Sequence, residues 1–589
     1  MCGFAGLFAG QSGHALDEII VAMADRLAHR GPDDAGHWAD EEARIALGHR
    51  RLSILDLSPA GHQPMVSASG RFVLAFNGEI YNHAEMRRKL EVGPSAQPLP
   101  PGASGFVGWR GHSDTETLLA AFEQWGVEAT LRRTVGMFAL GLWDREQRRL
   151  HLARDRLGEK PLYYGWCQGV FLFASELKAL RAYPGFDNPI DRGALAAYLR
   201  FVYVPEPWSI YRGIYKLEPG CRLTLTRGCV ACPPADAPRA PMDGPGLSLM
   251  RWWSLSQMAE AGQRQPLRDE GQALTALEGR LREAIRIQSI ADVPLGAFLS
   301  GGLDSSTIVA LMQSEALTPV RTFTVGFDDA ALDEAAHARA VAHHLGTDHT
   351  ELRVTAREAL DLIPALPRVY DEPFADSSQI PTFLVCRQAR RHVTVALSGD
   401  AGDELFGGYS RYFWAGPIWG KLGWLPVAMR QAMGRWLLRQ PTSRWDRLAS
   451  GLGIRMSLAG DKVRKLGEGL AARDLDELYR YLVSEWKQPG TVALGAEEAP
   501  TLLARPDHWP TLTEEEHRMM VLDAMTYLPG DILCKVDRAA MAVSLETRAP
   551  FLDHRVVELA WRLPLGMKIR GRFGKWPLRE ILTSTCRGS

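Results

Sequence analysis

Apolar and polar positions alternate differently in two parts of the chain. From Cys2 to about residue 215 short apolar runs are broken by Gly, Pro and Asp: FAGLF, RIALGHRRLSIL, RFVLAFNGEIY, MFALGLWD, LHLARD, PLYYGW and VFLFAS. Several have period two, and their spacing predicts many short antiparallel strands. The helical runs LDEIIVAMADRLAHRG and TETLLAAFEQWG interrupt them, which predicts an α+β or sandwich-like first domain. From about residue 270 strand-like runs ending in Gly or Asp (PLGAFLSGG, RTFTVGFD, VTVALSGD) alternate with helical runs (ALTALEGRLREAIRIQ, SSTIVALMQSEAL, EAAHARAVAHHLG). That alternation predicts βαβ units around a parallel sheet. Residues 410 to 525 are expected to be mostly helical, with Trp414, Trp419, Trp424 and Trp436 packed in a core.

The Pro-, Gly- and Ala-rich stretch Gly228 to Pro266 predicts a linker or exposed loop, and Gly93 to Gly111 a surface insertion. The expected domains are 2–227 and 270–589, joined by a linker over 228–269. A length of 589 residues is consistent with about two to four domains. The 68 Lys and Arg against 69 Asp and Glu leave a net charge of −1, so no bulk attraction to nucleic acid or an anionic membrane is expected. Eight scattered cysteines do not form a disulfide framework, and no apolar run is long enough to span a bilayer. With no signal-peptide pattern at Met1-Cys2-Gly3-Phe4, the expected location is the cytoplasm.

Cys2 follows Met1, so removal of the methionine would leave a cysteine with both a thiol and a free α-amine. The amine, with a pKa of roughly 7.7–8.0, can take the proton of its own thiol. A thiolate attacking an amide needs donors for the oxyanion, and the Asn77 amide and the Gly78 N–H after the strand RFVLAF are candidates. For an amino-acid substrate, Arg51 suits the carboxylate and Asp114 the ammonium.

MCGFAGLF, HRGPDD, RLSILD, NGEIYN, SDTE and GMFALGLWD together resemble the class II glutamine amidotransferase domain. The resemblance implies an N-terminal-nucleophile αββα sandwich in which Cys2 hydrolyses glutamine. Arg51 and Asp114 would hold the glutamine, Asn77 and Gly78 would form the oxyanion hole, and Leu52, Ser53, Ile54, Leu55 and Glu79 would line the pocket.

SGGLDSS, from Ser300 to Ser306, follows the strand-like VPLGAFL and opens a helix, the arrangement in which backbone N–H groups bind phosphate. It is not a Walker A loop. Asp304 among phosphates calls for a bridging hard cation, and Mg²⁺ suits it. VTVALSGD leads into AGDELFGGY, where Asp400, Asp403 and Glu404 crowd one loop. Both loops lie at carboxyl ends of strands, so they can face one site. Cys229 and Cys232 lack a second pair, and His343, His344 and His349 are expected at a helix end on the surface; no ligand role is assigned to any of them.

SGGLDSS, SGDAGDELFGGY, KVDRAAMAVSLETRAPFLD and GKWPLRE resemble the synthetase domain of glutamine-hydrolysing asparagine synthetases, an ATP pyrophosphatase of the PP-loop type. The resemblance implies an α/β parallel-sheet domain with helical additions that binds ATP and Mg²⁺. Ser300, Gly301, Gly302, Asp304, Ser305 and Ser306 would hold pyrophosphate, and Asp304 and Asp403 would ligate Mg²⁺. Lys575 would neutralise phosphate charge, while Leu299, Val325, Ser398 and Gly399 would contact the nucleotide. Asp400 stands where these relatives have Glu, one methylene longer, at a position implied to act in forming the intermediate or deprotonating ammonia. The sequence ends at Ser589, soon after LREIL, where relatives continue; the synthetase domain is then expected to be less stable or to lean on another chain.

The expected reaction joins glutamine-derived ammonia to an ATP-activated carboxylate, most simply aspartate, through a dry apolar passage between the domains. Another acceptor, a surface-polysaccharide uronic acid or a peptide acid, is the alternative enzyme, and an inactive regulatory relic the non-enzyme one. A β-lactam synthetase-like reaction is disfavoured, since Cys2 is intact. The expected partners are small molecules, with a homodimer as the candidate assembly.

Overall fold

The computed structural model describes residues 2–10, 15–92, 108–327, 335–451 and 459–588. Most of the insertion expected over Gly93 to Gly111 lies outside the described residues.

Two antiparallel sheets face each other in the first domain. One has the order Ile214–Lys216, Tyr163–Cys167, Val170–Ala174, Gly3–Ala9, Ile45–Arg51, Asp34–Asp40. The other runs Met242–Gly244, Leu247–Arg251, Cys221–Thr226, Arg149–Arg154, Gly136–Asp144, Phe72–Ile80, Met65–Val66. Period-two alternation explains the layering. Along Gly3–Ala9, Phe4 and Phe8 enter the core between the sheets with Val73, Ala139 and Trp143, while Ala5 and Leu7 point outward. The outward pair is covered by Leu16, Ile19, Ile20 and Met23 of helix Leu16–Asp25. Helices His83–Val92 and Asp114–Trp125 cover the second sheet in the same way. The result is the expected αββα sandwich.

The second domain holds a five-stranded, wholly parallel sheet in the order Asp348–Val354, Arg321–Phe327, Leu295–Phe298, Val395–Leu397, Glu546–Arg548. Helices flank it, and a large helical addition follows Gly402. Leu295–Phe298 and Val395–Leu397 are direct neighbours, so the two loops singled out in the sequence leave the sheet side by side.

Three expectations change. Residues 228–269 are not simply a linker: Met242–Gly244 and Leu247–Arg251 extend the second sheet, and Leu255–Arg264 is a helix. CPPADAPRAPMDGPG conceals the alternating LSLMR, whose Leu247 and Leu249 are buried against the sandwich core. The side chain of Trp414 lies outside the described residues, and the other three tryptophans are not a core stripe. Trp424 and Trp436 are exposed, while Trp419 is half-buried beneath the Arg430 guanidinium at 4.5 Å. Their spacing crosses a helix boundary at Leu422, so they share no face. His349 lies on strand Asp348–Val354 rather than at a helix end, with Nδ1 2.9 Å from the Thr322 hydroxyl.

Candidate active sites

Strand Gly3–Ala9 presents Cys2 at its head, and Phe72–Ile80 carries Asn77, Gly78 and Glu79 beside it. The Cys2 backbone N–H donates to Asn77 Oδ1 at 2.9 Å, so the amide of a fully buried Asn77 is oriented by the residue it faces. Asn77 Nδ2 has no hydrogen-bond partner among the described residues. A buried donor left unpaired in this way is costly unless something else accepts from it. A Cβ at Gly78 would come within 2.1 Å of the Met137 carbonyl on the paired strand, so only glycine fits. Cys2 Sγ lies 3.9 Å from the Leu52 carbonyl oxygen, and burial pushes the thiol pKa up.

Arg51, 7% exposed, donates to the carbonyls of Ser58 at 3.1 Å, Leu55 at 3.3 Å and Asp56. Gly61 makes room for it, since a Cβ there would meet its guanidinium. Ser53 N–H is held by Asp33 at 2.8 Å, and the Ile54 carbonyl accepts from Asp292 N–H of the second domain at 2.9 Å. Asp114 opens helix Asp114–Trp125, capped by Ser113, and accepts from Ile80 N–H at 2.8 Å. Burial pushes its carboxyl up to about 6. Glu79 is also raised by burial, with Asp114 and Glu546 adding to the effect, and Arg548 lies 3.8 Å away. The pocket therefore gathers carboxylates suited to an ammonium, one of them from the second domain.

In the second domain Leu299, Ser300, Gly301 and Gly302 form the turn between strand Leu295–Phe298 and helix Leu303–Glu315. Gly301 has φ +78°, and a Cβ there would strike the Ala338 backbone. Ser300 Oγ and Ser305 Oγ are 3.0 Å apart, and the buried Ser306 hydroxyl has no partner among the described residues. The neighbouring loop closes on this turn through glycines. A Cβ on Gly399 would lie 2.7 Å from Ser305 N, and one on Gly402 2.5 Å from the Asp304 carboxyl carbon. Ala401 takes φ +76° between them. Ser398 Oγ donates to Asp400 at 2.7 Å, and burial raises the Asp400 pKa.

Lys575, at φ +56°, places Nζ 2.5 Å from Asp304 and 2.6 Å from Asp403. Strained backbone of this kind concentrates at functional sites. Burial pushes Asp304 up to about 6 against the pull of Lys575, and its Oδ1 has no hydrogen-bond partner among the described residues. Two carboxylates from different loops thus converge on one cation, which fits a Mg²⁺ held by carboxylates plus phosphate oxygens. No group of three or more His, Cys, Asp or Glu that could hold a metal gathers among the described residues. Val325 lies half-buried on strand Arg321–Phe327, the next neighbour of the SGGLDSS strand. Cys2, Arg51, Asn77, Gly78, Glu79 and Asp114 thus lie together in the first domain, and Ser300, Asp304, Ser398, Asp400, Asp403 and Lys575 in the second. Glu546 and Arg548 of the first centre were missed as site residues; their signal lay in SLETRAP, which resembled only the second domain.

An N-terminal-nucleophile sandwich coupled to a parallel sheet with a phosphate-type turn defines a bifunctional amidotransferase. Residues 1–234 match the family model of the glutamine amidotransferase domain, and residues 276–586 that of asparagine synthase. A putative glutamine-hydrolysing asparagine synthetase of Mycobacterium tuberculosis is 34% identical over 99% of this chain and 85% of its own. Asparagine synthetase 1 of Bacillus subtilis is 32% identical over 98% and 84%. Amidase chry2 of Gibberella zeae is 25% identical over 99% and 86%. The chain belongs to the glutamine-hydrolysing asparagine synthase family and is a glutamine-dependent, ATP-using ligase. Among the described residues no helix is long and apolar enough to cross a membrane.

Proposed function

We propose that the chain is an asparagine synthase that converts aspartate, glutamine and ATP to asparagine, glutamate, AMP and pyrophosphate. The observation that carries the glutaminase half is the Nδ2 of Asn77 beside Cys2, buried and without a hydrogen-bond partner among the described residues. With Met1 removed, the Cys2 amine takes the thiol proton and the thiolate attacks the glutamine carboxamide. Asn77 Nδ2 and Gly78 N–H receive the oxyanion, while Arg51 and Asp114 hold the carboxylate and ammonium of glutamine, with Leu52, Ser53, Ile54, Leu55 and Glu79 as the walls. Collapse releases ammonia and leaves a thioester that water hydrolyses to glutamate.

In the second centre the acceptor carboxylate attacks the ATP α-phosphorus and pyrophosphate leaves. The turn Ser300–Ser306 receives the leaving phosphates, Leu299, Val325, Ser398 and Gly399 seat the nucleotide, and Lys575 offsets developing charge. Asp304 and Asp403 would hold Mg²⁺, which would supply positive charge to the phosphates. Asp400, on the loop beside the turn, takes the proton of the attacking ammonia. Leu52, Ile54, Tyr81, Val135 and Met137 pack with Ile287, Val395 and Met541 across the interface, and this apolar cluster starts where Leu52 meets Cys2. Such surroundings keep ammonia neutral and the adenylate dry.

Aspartate as acceptor is supported by relatives named asparagine synthetases that match over nearly the whole chain. Another carboxylic acid is the second reading, favoured by the shorter Asp400 and by relatives named amidases. ATP–pyrophosphate exchange over a panel of acids separates them: aspartate should support exchange, and exchange with a uronic or peptide acid alone would replace aspartate. Cys2→Ala should abolish glutamine use and leave ammonia-dependent amidation; loss of both would refute the two-centre scheme.

A further inference from the structure

Cys2 is held on two sides. Its N–H is fixed by Asn77, and its carbonyl oxygen accepts from Arg30 Nε at 3.0 Å. Arg30 is wholly enclosed, and its planar guanidinium is aimed by what grips its other edge. That grip comes from the synthetase domain: Nη1 and Nη2 donate to the two carboxylate oxygens of Asp537 at 2.8 and 3.0 Å. Nη1 also donates to Glu176 at 2.8 Å. A fork bonded through both terminal nitrogens leaves Nε–H a single direction, toward the Cys2 carbonyl.

Asp537 is 3% exposed on helix Cys534–Met541, with Lys160 Nζ 3.5 Å away. Burial works against its charge, but Arg30 and Lys160 outweigh this and keep the carboxyl below its ordinary pKa. The surrounding charges are also paired: Arg538 with Glu176 and Asp371, and Lys178 with the same two acids. Asp537 also lines a cavity of about 20 Å³ together with Asp400 and Lys160. It therefore stands between the two centres, in contact with the chain of bonds that ends at Cys2.

We infer that Asp537 is a positioning residue of the Cys2 centre, contributed by the synthetase domain and acting through Arg30; this rests on the glutaminase reading above. An enclosed Arg30 without its fork partner turns toward Glu176 and releases the Cys2 carbonyl. Displacement of a nucleophile by about 1 Å costs on the order of a hundredfold in rate.

The test uses the full chain. Asp537→Asn keeps the shape and removes the charge. Glutamine hydrolysis should lose at least about tenfold in kcat while the glutamine KM stays within about twofold, the split expected of misalignment rather than lost binding. Alkylation of Cys2 by iodoacetamide should slow in parallel, and ammonia-dependent amidation should persist. Arg30→Lys should show the same loss, and the double variant should be no worse than the weaker single one, because the two act as a unit. Unchanged glutamine turnover, an additive double variant, or equal loss of both half-reactions would overturn the inference. Cys2→Ala serves as the control: full glutaminase activity in it would remove the nucleophile assignment and this inference together. A dead Cys2→Ala beside an unaffected Asp537→Asn would overturn the inference alone.

Discussion

Asp114 joins local sequence to a measurable pH effect. It starts a helix, where the dipole favours an anion, yet burial raises its carboxyl to about 6. In the proposed pocket it meets the glutamine ammonium only when ionised. Below pH 6 the carboxyl is protonated in addition to the Cys2 amine, so the fall in kcat/KM for glutamine should steepen by about a further tenfold per pH unit. Asp114→Asn should remove that steepening, and an unchanged slope through pH 6 down to pH 5 in the unchanged protein would take Asp114 out of the pocket. Cys2, Asn77, Gly78, Arg51 and Asp114 were legible because each sits inside a short motif whose chemistry is local. Arg548 and Asp537 were not, because their partners Glu79 and Arg30 lie hundreds of residues away.

At the scale of elements, the geometry of the proposed ATP site depends on loops that touch. The turn after Leu295–Phe298 and the loop after Val395–Leu397 interlock because Gly399 and Gly402 have no side chain. Gly402→Ala would drive a methyl into the Asp304 carboxyl, 2.5 Å from its carbon. Pyrophosphate exchange should then fall by at least about a hundredfold, the scale of a 1 Å displacement, while glutamine hydrolysis continues. Exchange that survives would mean that the loop can move aside. The alternating strands and the switch to βαβ spacing were readable from hydrophobic periodicity. The strand Leu247–Arg251 was not, since five short residues inside a Pro- and Gly-rich stretch carry less signal than their surroundings. Exposed Trp424 and Trp436 have the same cause in reverse: composition marks a core residue, but only the helix boundaries decide which face it occupies.

For the whole molecule, the decisive feature is the interface. An apolar cluster and a buried ionic network lie side by side across it: Leu52, Val135 and Met137 against Val395 and Met541, and Arg30 against Asp537. Met541→Phe thickens the apolar part, at about 1–3 kcal/mol of strain as an overpacked site. It should leave glutamine hydrolysis and ammonia-dependent amidation running separately while more than one glutamine is consumed per amide formed. A ratio that stays at one would move the passage elsewhere. Sequence alone determined the two domain types and singled out Cys2, the turn Ser300–Ser306 and the carboxylates near it, because periodicity and short motifs are set by residues near each other in the chain. Tertiary structure alone decided that Asn77 Nδ2 has no hydrogen-bond partner among the described residues, that Lys575 reaches two aspartates, and that Asp537 grips Arg30. Those facts depend on distances between segments far apart in sequence, which only packing brings together.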